Sequence, residues 1–199
     1  MNTGRACLLE WVHAGDALEG GVSGDAIAFA DFTDGALLAV LDGLGHGVEA
    51  AHAAHEAVRV LEADPGKPIV ALVEQCHQAL RKTRGAVMSL ASFDSRTSSM
   101  TWAGVGNVEG ILLRADRSRE SLAQRGGVIG YQLPSLRAST LSVLPGDMLI
   151  LTTDGIRDSF VESLEATGRL QEMADLILAD YRRKNDDALV VVAKYLGIR

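Results

Sequence analysis

Short apolar runs that end on glycine or aspartate dominate the 199-residue chain, interrupted by three stretches with helical spacing. Residues 5–13 (RACLLEWVH) read as a first strand, and a glycine-rich loop, GDALEGGVSGD, follows at 15–25. AIAFADF at 26–32 and ALLAVLD at 36–42 flank the turn pair Asp34-Gly35, the pattern of a β-hairpin. From His46 to about Ala63 the chain is alanine-rich with apolar residues at helical spacing, and Pro65-Gly66 with Pro68 ends that helix. IVALVEQCHQALRK at 69–82 predicts a second, amphipathic helix. AVMSLASFD (86–94), TSSMTWAGV (97–105), VEGILLRA (108–115), SLRASTLSV (135–143) and DMLILTT (147–153) alternate in the manner of strands. A helix is predicted over roughly 165–183, and ALVVVAKYL (188–196) closes the chain as a buried strand.

Consecutive strands joined by tight turns pair antiparallel, so this order predicts an α+β fold with mostly antiparallel sheets. The strands outnumber what one small sheet holds, which predicts two packed sheets with helices outside. With 47% apolar residues the chain suits one domain spanning 1–199. No apolar run is long enough to span a bilayer, and the N-terminus lacks the order of a secretory signal. The expectation is a cytoplasmic protein with no membrane contact. Cys7 and Cys76 have no CxxC partner and read as core thiols in a reducing compartment. A net charge of −7 and a pI near 5.2 argue against a nucleic-acid binder, which needs a basic face. The basic runs at 81–84 and 182–184 read as solvated helix ends or loops, as does the group of Arg114, Arg117 and Arg119.

Acidic residues gather at strand tips. Asp42-Gly43 ends the second strand of the hairpin, and Asp154-Gly155 ends LSVLPGDMLILTTDG (141–155). Asp186-Asp187 precedes the last strand, and Ser23-Gly24-Asp25 opens the second. Each acid alone reads as a turn residue, because Asp and Gly dominate turns. If the four tips share one edge of a sandwich, their charges repel unless a cation sits between them. Oxygen ligands without a His/Cys pattern favour Mg²⁺ or Mn²⁺ over zinc. A rival reading takes Gly45-His46-Gly47-Val48-Glu49-Ala50 as a dinucleotide fingerprint, with VRVLE as a following strand and Glu62 as the ribose-binding acid. It places the charge of Asp42 beside a pyrophosphate and cuts a continuous helix, so the metal reading takes precedence.

The chain resembles the metal-dependent serine/threonine protein phosphatases (the PPM family), in particular the bacterial branch of sporulation and general-stress signalling. The matching segments are SGD (23–25), DGLGHGVEAA (42–51), AGVGN (103–107), GGVIG (126–130), LPGDMLILTTDG (144–155) and DDALVVV (186–192), in family order. The resemblance implies a four-layer sandwich of two antiparallel β-sheets flanked by helices, with two ions, Mn²⁺ or Mg²⁺, at one edge. By position, Asp42 would bridge both ions, the Gly43 carbonyl would hold one, and Asp154 and Asp186 would hold the other. Asp25 would act mainly through metal-bound water. Two such ions activate a water for in-line attack on a phosphate ester, with no covalent phosphoenzyme.

Three departures from the family pattern matter. Many relatives place Thr or Ser where this chain has Leu189, which keeps open a catalytically silent module that only binds phosphoproteins. Eukaryotic members place a histidine directly after Asp-Gly, whereas here Leu44 holds that position and His46 comes two later. His46 is therefore a candidate general acid, with a structural role at the helix start as its alternative. His52 and His55, one helical turn apart, read as helix surface. Finally, no sensor or coiled-coil segment precedes the motifs, so a stand-alone phosphatase is expected. The implied substrate is a phosphorylated regulator of the anti-anti-sigma type, or a component of a stressosome assembly. The loop around Arg114, Arg117 and Arg119 is the distinctive surface expected to dock it.

Overall fold

The chain builds two sheets in turn and closes the first with its last strand. In the computed structural model, which describes residues 8–164 and 169–197, β1 (Leu9–Asp16) leads through a 3-10 turn at Leu18–Gly20 into a hairpin. The hairpin is β2 (Asp25–Phe32) and β3 (Gly35–Gly43), followed by helices α1 (Val48–Ala63) and α2 (Ile69–Leu80). Strands β4 (Ala86–Asp94), β5 (Ser99–Val105), β6 (Glu109–Leu113), β7 (Arg119–Ser121), β8 (Ser139–Ser142) and β9 (Met148–Thr152) come next. A short helix α3 (Phe160–Ser163), helix α4 (Leu170–Tyr181) and β10 (Ala188–Tyr195) complete the order.

One sheet runs β1-β10-β9-β6-β7 and the other β2-β3-β4-β5-β8, with every pairing between these strands antiparallel. Strand β3 shows why they stack. Alternate side chains of a strand face opposite sides, and here both sides are apolar. Leu38 and Val40 face the other sheet with Trp102, Leu151 and Val191, while Leu37, Ala39 and Leu41 pack under α1 and α2. Helices α3 and α4 cover the outer face of the first sheet through Phe160, Met173 and Ile177. The result is the expected four-layer sandwich.

The differences from expectation are local. The first strand starts at Leu9 and runs on to Asp16; residues 5–7, and Cys7 with them, lie outside the described residues. Cys76 is buried under α1, as expected of a core thiol. Helix α1 starts at Val48, because Gly45 and Gly47 adopt φ of +88° and +77°, left-handed values that suit glycine and break the helix. The strand expected over 135–143 shortens to an edge of four residues, paired only with β5. The predicted helix over 165–183 forms at 170–181, and 165–168 lie outside the described residues. Strand β7 and helix α3, at three and four residues, are too short to leave a periodic signal.

Strands β2 to β4 and β9 with β10 are all antiparallel, and VRVLE lies within α1, with Glu62 exposed on it. A dinucleotide fingerprint needs a parallel βαβ unit. The Gly45–Ala50 segment is therefore a strand-to-helix turn, and the rival reading is wrong.

Candidate functional site

Asp25 opens β2 and Asp42 sits near the end of β3, and the register makes them direct cross-strand partners. Like charges in that position repel. From the other sheet, Asp154 follows β9 and Asp186 precedes β10, and those two strands are neighbours. Asp42, Asp154 and Asp186 line one cleft of about 540 Å³, whose wall also carries Leu44, His46, Asn107 and Asn185. Asp25 lies behind Asp42, and its Oδ2 accepts the Thr153 hydroxyl at 2.9 Å. The same Thr153 oxygen accepts the Leu189 N–H at 2.9 Å, so one threonine ties β10 to the acid of the other sheet.

The electrostatics show how crowded this edge is. Burial first, and then the charge of Asp42, push the Asp25 carboxyl up to about 8, although the Thr153 hydrogen bond pulls the other way. Burial followed by Asp154 and Asp186 raises Asp42 to about 7. Asp186 is raised chiefly by burial and by Asp154, with His46 opposing. Among the described residues no lysine or arginine lines the cleft. Asn107 supplies a neutral donor instead, giving its Nδ2 hydrogen to Asp154 at 2.7 Å.

Glycine at position 43 has a packing reason. A Cβ there would overlap the backbone carbonyl of Ala50, so α1 closes directly onto the end of β3. The buried face of α1 is mostly alanine, and small side chains permit that approach. His46 lies in the turn before α1 with an exposed ring on the cleft wall. The helix is capped at Gly47 without any side-chain bond, so His46 does not serve as a cap. His52 and His55 are exposed on α1, as expected.

The last acidic pair divides its work. Asp186 faces the cleft, while Asp187 is buried and both of its oxygens accept backbone N–H groups, from Leu18 and Gly24, at 2.7 Å each. Leu189 points into the core between the sheets, away from the cleft wall, and its departure from Thr or Ser leaves the acids undisturbed.

Two arginines of the loop are tied to neighbouring segments. Arg114 donates to the Ser142 carbonyl at 2.6 Å, to Glu120 at 2.8 Å and to Asp147 at 3.1 Å, and Arg119 donates to the Val161 carbonyl at 2.6 Å. Arg117, at the β6–β7 turn with φ of +72°, and Arg119 are exposed, while Arg114 is half-buried. Strand β6 meets β9 from Glu109↔Thr152 to Leu113↔Met148, so the loop sits at the end of the sheet remote from Asp154. Spacing along the chain revealed the arginines but not that Arg114 and Arg119 bind carbonyl and carboxylate groups from distant segments. Sequence reading also passed over Thr153 and Asn107. Each was visible only as a hydroxyl or amide inside a matched segment, TTDG or AGVGN.

The cleft's charged donors suit a hard divalent cation: three carboxylates, all oxygen, with neither thiolate nor a ring of histidines. Among the described residues no group of three or more His, Cys, Asp or Glu side chains is placed to hold a metal ion by itself; Mg²⁺ is commonly held by one or two carboxylates with water and phosphate oxygens.

Comparison with known proteins identifies the family and supports the fold. The family model described as Stage II sporulation protein E (SpoIIE) matches residues 33–196, a span that holds Asp42, Gly43, Asp154 and Asp186 and begins after Asp25. The phosphoserine phosphatase RsbX of Bacillus subtilis (strain 168) is 24% identical over 161 residues, 81% of each chain. A chain solved in work on the bacterial stressosome, a modular system adapted to control secondary messenger signalling, is 33% identical. It superposes with a TM-score of 0.85 over 94% of this chain and 99% of that one. RsbX in complex with magnesium shares the fold at a TM-score of 0.83 and 22% identity, over 94% of this chain and 95% of that one. With the family model spanning most of both sheets, the chain belongs to the family described as Stage II sporulation protein E (SpoIIE).

Proposed function

We propose that the chain is a Mg²⁺- or Mn²⁺-dependent phosphatase, holding two ions, that removes phosphate from serine or threonine of a regulator protein in cytoplasmic stress signalling. The observation that carries it is the meeting of Asp42 from one sheet with Asp154 and Asp186 from the other at a cleft that, among the described residues, no lysine or arginine lines. RsbX, a phosphoserine phosphatase, and the stressosome-related chain support the reading of the substrate as a regulator of the anti-anti-sigma type or a stressosome component.

Bound cations supply neutralisation of the phosphate oxygens and acidification of a water nucleophile. Asp42, Asp154, Asp186 and the Gly43 carbonyl would hold them, with Asp25 supporting from behind Asp42. Asn107 fixes the rotamer of Asp154 through its hydrogen bond, so that the second carboxylate oxygen is presented to the cleft. His46, on the cleft wall, protonates the departing serine oxygen, because imidazole exchanges protons near neutral pH. The test is hydrolysis of a phosphoserine protein and of a nitrophenyl phosphate by chelator-treated protein. Turnover should vanish in EDTA and return with Mn²⁺ or Mg²⁺; undiminished turnover in chelator would overturn the reading.

A further inference from the structure

Asp187 is a buried carboxylate, 4% exposed, that the catalytic reading leaves without a task. Among the described residues it has no cationic partner; its two oxygens accept the N–H groups of Leu18 and Gly24. Those amides are the two ends of the loop that connects β1 to β2, and they lie 169 and 163 residues away in sequence. Gly24 is also the residue before Asp25. Its carbonyl accepts the Gly43 N–H at 3.1 Å, and a Cβ on it would stand 3.0 Å from the Ala50 Cβ. Gly24 is thus fixed by Asp187, by β3 and by α1 at once, and the backbone of Asp25 has no freedom left at that side.

We propose that Asp187 is a positioning residue: by binding the amides at both ends of the 18–24 loop it holds Asp25 against Asp42, and so sets the cation affinity of the site. This rests on the metal-dependent reading given above. One acidic pair then serves both sheets, Asp186 facing the cleft and Asp187 fastening the opposing acid. The role requires a carboxylate. An asparagine of the same shape has one acceptor oxygen, and its amide nitrogen would confront an N–H donor, leaving one buried donor unpaired. Groups that orient ligands from behind typically change metal affinity about 10–100-fold when altered.

Titration of Mg²⁺ or Mn²⁺ into the metal-free protein, followed by calorimetry, tests this with Asp187→Asn and with Asp147→Asn as comparison. Asp147 is equally buried and also accepts two backbone N–H groups, at the far end of β9. The expected result is cation binding about 10–100-fold weaker in Asp187→Asn and within about twofold of the unaltered protein in Asp147→Asn. The amide proton resonances of Leu18 and Gly24 should lose their downfield positions in Asp187→Asn alone, and kcat should recover at saturating cation. If Asp187→Asn does not fold, Asp187→Glu, which keeps both acceptors but displaces them by one methylene, carries the same comparison. A folded variant that binds cations as tightly as the unaltered protein would overturn the role of Asp187 and leave the proposed function standing. Absence of cation binding by the unaltered protein would overturn both.

Discussion

Strand β9 carries an aspartate at each end, and the fold treats the two in opposite ways. Asp147, just before Met148, is 2% exposed and fully answered: it accepts the N–H groups of Ala115 and Leu144 at 3.0 Å and the Arg114 guanidinium at 3.1 Å. Asp154, just after Thr153, has one neutral donor, Asn107, and stands in a cleft with Asp42 and Asp186. A buried charge is tolerated when donors and a counter-charge satisfy it. The Asp147 end meets that condition from within the chain. The Asp154 end does not, and a set of acids that the protein leaves unneutralised is a site that takes its positive charge from outside.

The largest expected effect separates the two ends by kind. Asp42→Asn should cut phosphatase turnover by about 10³-fold or more, the rate equivalent of the several kcal/mol that metal ions contribute. Its melting temperature without cation should hold or rise, because one member of a repelling cluster has lost its charge. Asp147→Asn should do the reverse, costing on the order of 3–5 kcal/mol of stability, the range for breaking a buried pair, while molecules that remain folded keep their turnover. An active Asp42→Asn enzyme would erase the distinction.

A leaving-group comparison sharpens the picture at His46. His46→Ala should slow hydrolysis of a phosphoserine protein by about 10²-fold or more and affect a nitrophenyl ester far less, since nitrophenolate leaves without a proton. Equal losses on both esters would remove the general-acid role.

A smaller effect concerns pH and stability without cation. Asp25 and Asp42, raised to about 8 and about 7, keep protons in the fold that the unfolded chain has already released above its ordinary aspartate range. The folded state therefore binds more protons between about pH 4 and pH 8, and its stability falls as pH rises through that window. Thermal melts of metal-free protein should show a lower Tm at pH 8 than at pH 5, by about 2–4 °C for each kcal/mol lost. Saturating Mg²⁺ should flatten the slope. A metal-free Tm that climbs from pH 5 to pH 8 would contradict the crowding of these two acids.

Much of this was legible from short stretches of chain. A run such as ALLAVLDG announces both a buried strand and the acid at its tip, because burial and alternation are local properties, and the hairpin turn fixes which acid faces which. Contacts made between distant segments left no such trace. Nothing near Thr153 says that its hydroxyl reaches Asp25, 128 residues earlier, and nothing in Asp186-Asp187 says which of the two faces the cleft. The bonds of Arg114 to Asp147 and of Arg119 to the Val161 carbonyl are hidden for the same reason, spanning 33 and 42 residues. Elements of three or four residues, such as β7 and α3, fall below the length at which periodicity can be read.

The pairing of β1 with β10 also orders events during synthesis. The sheet that holds Asp25 and Asp42 consists of strands β2 to β5 and β8, all made before residue 143. The sheet that holds Asp154 and Asp186 has β10 as its second strand, between β1 and β9, so β1 waits unpaired through the translation of some 170 residues. Chains emerge at about 5–20 residues per second, which leaves that edge open for roughly ten seconds or more on the ribosome. An N-terminal strand with Trp11 and Val12 and no partner is a surface on which chaperones act and neighbouring nascent chains can pair. Of the three acids that line the cleft, Asp186 directly precedes β10, so the cleft is complete only once that strand is made.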